Sequence, residues 1–161
     1  MRSRAPARLI SAIAAVAILL VGCGPGTGPA GPQPTAGGPA TLGPGTLVRL
    51  GEVPLRVAVA DDFARGLAGR DDLGGLDGML FDYGQDVAPA AHPFWMRGVR
   101  FALDIRFFAA DGRLVDEVQL EPCTADPCPA HVAAAPFRWV LETAAGRVAA
   151  PAGARLTVDG G

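Results

Sequence analysis

From Leu47 onward, apolar and polar residues alternate with a period of two, the spacing of strands that bury one face. Val53, Leu55, Val57 and Val59 are separated by Pro54, Arg56 and Ala58. Met79, Phe81 and Tyr83 alternate again after a Gly-rich turn at 74–78. Phe94 and Met96 open what reads as a longer strand. Leu103, Ile105 and Phe107 share one face, with Asp104 and Arg106 on the other. Asp111-Gly112 separates this run from Leu114–Leu120, a hairpin signal. Phe137, Trp139 and Leu141 alternate with Arg138, Val140 and Glu142, and Arg155–Val158 forms a last short run. The one helical signal is Asp61-Asp62 followed by Phe63 and Leu67 at i and i+4, which predicts a short helix over about 62–70, weakened by Gly66 and Gly69. Six or seven short strands with one helix predict a mainly β (β-rich α+β) domain, a small barrel or sandwich over residues 47–161.

The N-terminus follows other rules. Arg2, Arg4 and Arg8 precede an uncharged run of 14 residues, Leu9 to Gly22. A run of this length is short for a hydrocarbon core of about 30 Å and fits the apolar region of a signal peptide. It ends in Leu20-Val21-Gly22-Cys23, which resembles the bacterial lipobox. That resemblance implies lipid transfer to Cys23 and cleavage before it. Residues 1–22 are therefore expected to be a lipoprotein signal peptide. Residues 23–46 comprise the lipidated Cys and a Gly/Pro-rich linker whose segment 24–46 carries no charge. Such a segment buries too little apolar surface to offset its ordering entropy. The expected location is extracytoplasmic, with lipid anchoring to a bacterial membrane.

Charge and composition narrow the chemistry. All 14 basic residues are Arg, and the formal net charge is −2. Removing residues 1–22 takes three Arg and no acid, leaving 11 Arg against 16 acids. A nucleic-acid partner is not expected of so acidic a chain. Without Lys there is no Schiff-base chemistry, and without Ser beyond Ser11 no serine nucleophile reaches the exported part.

Six segments together resemble domain-of-unknown-function family 192. They are Gly66-Leu67-Ala68-Gly69-Arg70, Gly78-Met79-Leu80-Phe81, Phe94-Trp95-Met96-Arg97, Leu103-Asp104-Ile105, Asp111-Gly112-Arg113-Leu114-Val115, and Val140-Leu141-Glu142 with Gly146. They run in the family's order across about residues 53–159. Gly98-Val99 stands where the family usually has Asn-Thr, and Ala102 where it has Pro. The resemblance implies a compact β-rich fold and no established activity, so function has to come from a site.

Three constellations carry candidate chemistry. In Cys123-x4-Cys128-x2-His131 the cysteines pair as a disulfide or, with His131, ligate zinc; an oxidising compartment and the even count left after Cys23 favour the disulfide. Trp95 lies beside Arg97 and Arg100, where it either plugs a rim or lines an open face that grips a sugar ring or a carboxylate. Asp104 and Glu142 interrupt apolar strands, where Asp is disfavoured. They are either framework residues or an acid/base pair. Arg70, Arg97 and Arg106 are candidate partners for Asp104, with Arg70 and Arg97 favoured.

The leading expectation is a non-catalytic accessory module that binds a small molecule, glycan or protein of the cell envelope, with no cofactor, metal or catalytic residue assigned. One alternative is an envelope carbohydrate hydrolase or lyase using Asp104 and Glu142. A second is a metal or redox accessory protein using Cys123, Cys128 and His131.

Overall fold

A computed structural model describes residues 42 and 44–158. The expected signal peptide, Cys23 and nearly all of the linker lie outside the described residues. Among the described residues there are nine strands: β1 (Thr46–Leu50), β2 (Val53–Val59), β3 (Gly78–Val87), β4 (Phe94–Trp95), β5 (Leu103–Phe108), β6 (Leu114–Leu120), β7 (Ala130–His131), β8 (Phe137–Ala144) and β9 (Leu156–Val158). Seven form one sheet in the order β6-β5-β8-β3-β2-β1-β9, and β4 pairs with β7 separately. The large sheet curls into a half-barrel. The domain is thus β-rich, as the alternating pattern predicts.

Within this sheet β2 and β3 pair in parallel, and the other neighbours are antiparallel. A parallel pair needs a long crossover. Residues 60–77 provide it, and Leu67 and Leu73 pack it against one face of the sheet. The predicted helix falls here and is not formed: residues 63–69 are turns. Asp62 does begin a turn, its Oδ1 accepting from the N–H groups of Ala64 and Arg65 at 3.1 and 3.2 Å. Gly66 and Gly69 then adopt φ of +46° and +79°, which ends any right-handed helix within one turn. The only helical element among the described residues is a 3-10 turn, Pro89–Ala91.

The longer strand expected from Phe94 also stops short. Gly98, with φ of +74°, breaks the chain between β4 and β5. The hairpin at Asp111-Gly112 forms, and Asp111 Oδ1 accepts from Arg113 N–H at 2.9 Å. Gly112 also brings the hairpin tip against β9, since its carbonyl accepts from Leu156 N–H at 2.9 Å. A Cβ on Gly112 would collide with the Leu156 carbonyl oxygen, so a side chain is excluded at this contact.

Alternation along the central strands builds two cores. Met79, Phe81, Ile105, Phe107 and Val140 face the crossover side. Leu80, Phe108, Trp139 and Leu141 face the other, with Val48, Val57 and Leu156. All six residues of β5 are buried, so its polar positions Asp104 and Arg106 have packed surroundings on their own face.

Candidate functional site

Asp104 and Glu142 lie one register step apart on neighbouring strands and point to opposite faces. Asp104 is opposite Thr143, and Ile105 is opposite Glu142. Cross-strand partners share a face and sequence neighbours do not. The two carboxylates therefore cannot flank one substrate bond, and Asp104 and Glu142 do not form the expected acid/base pair.

The Asp104 face holds a satisfied polar knot. Asp104 Oδ2 accepts from Gly146 N–H at 2.9 Å and lies 3.5 Å from Arg106 Nη2. Gln119 Nε2 donates to Oδ1 at 3.1 Å. Arg106 also donates to Glu117 Oε1 at 2.7 Å, Thr143 Oγ1 at 3.2 Å and the Val148 carbonyl at 3.0 Å. The partner is thus Arg106. Arg97 instead pairs with Asp126 on the surface, and Arg70 sits on the crossover. Arg106 is reached by period-two geometry, since residues i and i+2 of a strand share a face.

A disulfide closes the cysteine loop. Cys123 and Cys128 sulfurs are 2.17 Å apart, with Cα atoms separated by 5.7 Å. His131 Nε2 lies 2.7 Å from Asp116 Oδ2. With the sulfurs joined to each other and the imidazole engaged by a carboxylate, these three residues do not form a metal-ligand set. No group of three or more metal-ligating side chains occurs among the described residues.

On the crossover face lies a cavity of about 250 Å³. Its lining comes from four separate segments: Phe63 to Leu67 on the crossover, Phe81 and Tyr83 on β3, Ala91 to Val99 around β4, and Glu142 on β8. Edge-to-face contacts lock the rings. Phe63 meets Phe81 at 5.4 Å and Tyr83 at 4.8 Å, Phe81 meets Phe94 at 5.7 Å, and Tyr83 meets His92 at 4.8 Å between centroids. Gly66 lets the crossover backbone come close: a Cβ there would lie 3.2 Å from the Phe81 ring and 4.0 Å from Glu142 Oε2. Trp95 is 46 % exposed and lines the wall, so it is an open-face residue rather than a plug.

Glu142 is 6 % exposed and lines this cavity. Its strand neighbours on the same face are apolar, Met79 on β3 and Ile105 on β5. Among the described residues no side chain or amide hydrogen-bonds its carboxyl. Burial alone pushes its pKa up to about 8. The same burial, with the nearby Glu142 charge, raises Tyr83 to about 12. Sequence reasoning finds Glu142 and Trp95 but not Phe63, Tyr83 or Phe94 as wall residues. The available signal is Glu142 itself, an acid inside the run Trp139-Val140-Leu141.

Comparison with known proteins gives fold and family. No curated protein matches the chain. A crystal structure of a Sinorhizobium meliloti 1021 protein, described as a candidate transcription regulator, is 28% identical with a TM-score of 0.55, covering 70% of this chain and 92% of that one. A protein of unknown function from Novosphingobium aromaticivorans DSM 12444 is 24% identical with a TM-score of 0.54, covering 69% of this chain and 83% of that one, and shares the fold. The profile of DUF192, described as an uncharacterized ACR, matches residues 46–157, and the chain belongs to this family.

Proposed function

We propose that this chain is a membrane-tethered, extracytoplasmic, non-catalytic binding module, and that its site is the aromatic cavity floored by Glu142. One observation carries the reading: Glu142 is 6 % exposed and lines the cavity, and among the described residues no side chain or amide hydrogen-bonds its carboxyl. Buried carboxyls are otherwise paired or hydrogen-bonded, because the alternative costs several kcal/mol. An unpartnered one in a cleft is a place for a ligand's polar atom. The walls combine packed aromatic rings with a few polar groups, Arg65, His92 and Arg97, as suits a small-molecule site. Binding rather than catalysis is favoured because Asp104 faces the other side of the sheet and supplies no second carboxylate.

The tether rests on Leu20-Val21-Gly22-Cys23 and the uncharged linker that follows. With 11 Arg against 16 acids after processing, the chain carries the wrong charge balance for a nucleic-acid binder. Two measurements test the proposal. Cys23→Ser is expected to release the protein or leave it unprocessed; a processed variant still held at the membrane overturns the anchor. A thermal-shift screen of small molecules against the chain from residue 23 is expected to find ligands whose effect disappears in Phe63→Ala. Ligands that act equally on both proteins place the site elsewhere.

A further inference from the structure

Resting on the cavity as the binding site, we infer that the group it takes is a small organic cation, an ammonium or methylated ammonium, seated between the aromatic rings and the Glu142 carboxylate. Aromatic ring faces carry negative electrostatic potential, which attracts cations and repels anions. Phe63, Phe81, Tyr83, Phe94 and Trp95 supply the rings, and Glu142 is the only acid in the lining. Charge is graded with depth. Glu142 is buried, whereas Arg65 and Arg97 are exposed at the mouth, with Arg97 engaged by Asp126. A neutral acceptor would gain one ordinary hydrogen bond from the protonated carboxyl. A cation gains a charge-to-charge contact with a buried carboxylate, which is stronger than the same contact in bulk water.

The cation also settles the proton. Below about pH 8 the empty cavity holds Glu142 as the neutral acid, and a cation binds as that acid releases its proton to solvent. One cation enters and one proton leaves, so the cavity's net charge is unchanged. The other titratable or charged groups facing the cavity are Tyr83 from β3, Arg65 from the crossover, and His92 and Arg97 flanking β4. β5 presents Leu103, Ile105 and Phe107 on this side and no titratable group.

Isothermal titration of the chain from residue 23 with choline, and with its neutral isostere 3,3-dimethylbutan-1-ol, tests the inference between pH 6 and 9. Choline affinity is expected to rise about tenfold per pH unit up to about pH 8 and then level. Close to one proton should be released per choline at pH 7, measured in buffers of different ionisation enthalpy. Glu142→Gln should weaken choline at least tenfold at pH 9 and leave the isostere unchanged. If the isostere binds as tightly as choline, or choline binding is flat with pH, the cation inference fails and the cavity remains a site for another ligand. If neither compound binds at millimolar concentration, the cation inference fails, and the Phe63→Ala thermal-shift screen alone decides whether the cavity is a binding site.

Discussion

Two carboxylates one register step apart in the same sheet meet opposite fates. Asp104 is buried with Arg106, Gln119 and the Gly146 N–H around it. Glu142 is buried on the other face among rings and has none of these. The sheet supplies the same low-dielectric surroundings to both, so burial alone does not decide what a carboxylate does. The difference lies in what the chain places opposite. Beside Asp104 the 146–148 turn offers an N–H and a carbonyl, so a charged knot is affordable there. Beside Glu142 the crossover offers Gly66 and Phe63, which leave space and no donor. The first arrangement fixes the fold; the second lowers stability and keeps a reactive group facing a cavity.

The largest expected effect comes from breaking the satisfied side. Arg106→Ala strips Asp104, Glu117, Thr143 and the Val148 carbonyl of a donor at once. Removing one partner of a buried pair typically costs about 3–5 kcal/mol, a large share of a small domain's stability. Urea or thermal melts should show this loss or outright failure to fold. A loss under about 1 kcal/mol would mean that the knot is not what holds β5 to β8 and the 146–148 turn.

On the other side the sign reverses. The folded state holds the Glu142 proton up to about pH 8, whereas the unfolded chain loses it near the ordinary 4.5. Between these values the native state binds more protons, so stability falls as pH rises, by about tenfold in the folding constant per pH unit. Glu142→Leu removes that penalty. It should stabilise the domain on the order of 3 kcal/mol at pH 7 and far less at pH 4.5. Melts that show an equal effect at both pH values would contradict the raised pKa.

The sequence makes much of this contrast legible and hides the rest for physical reasons. Period two predicts that Asp104 and Arg106 share a face, and that fact, followed through, names the partner without any tertiary information. Choosing Arg70 and Arg97 instead gives weight to shared family segments over strand geometry. The Gly146 N–H is 42 residues from Asp104, and only the β8 turn brings it near. The cavity is less legible still. Phe63, Tyr83, Trp95 and Glu142 meet because residues 60–77 cross over as turns rather than as a helix. Two glycines with positive φ decide that path, and helix periodicity at Phe63 and Leu67 points the other way.

The disulfide separates the two regions experimentally. Cys123 joins the cavity side, since its N–H donates to the Met96 carbonyl and the residue bridges Arg97 next to β4. Closing so short a loop stabilises by roughly 2 kcal/mol on the chain-entropy model. Cys123→Ser with Cys128→Ser should cost about that much and speed amide exchange in 121–131 and 94–97. The Gly146 amide, held by Asp104, should keep its protection. Equal loosening of both regions would show that the two faces are one cooperative unit.

The smallest expected effect on stability belongs to Trp95. Its 46 % exposure means that truncation leaves little unpaired surface and no buried polar atom. Surface substitutions of this kind usually fall within about 0.5 kcal/mol. If Trp95 were a structural plug, Trp95→Ala would open a void and destabilise the domain by about 3–5 kcal/mol, the usual result for a buried aromatic. A wall residue predicts the opposite division: unchanged melting, with choline affinity reduced by roughly 2–30-fold for one lost ring contact. Arg106→Ala should damage the fold, whereas Trp95→Ala should leave the melt intact and weaken the cavity. A large drop in melting temperature for Trp95→Ala would assign this ring to packing and remove it from the binding site.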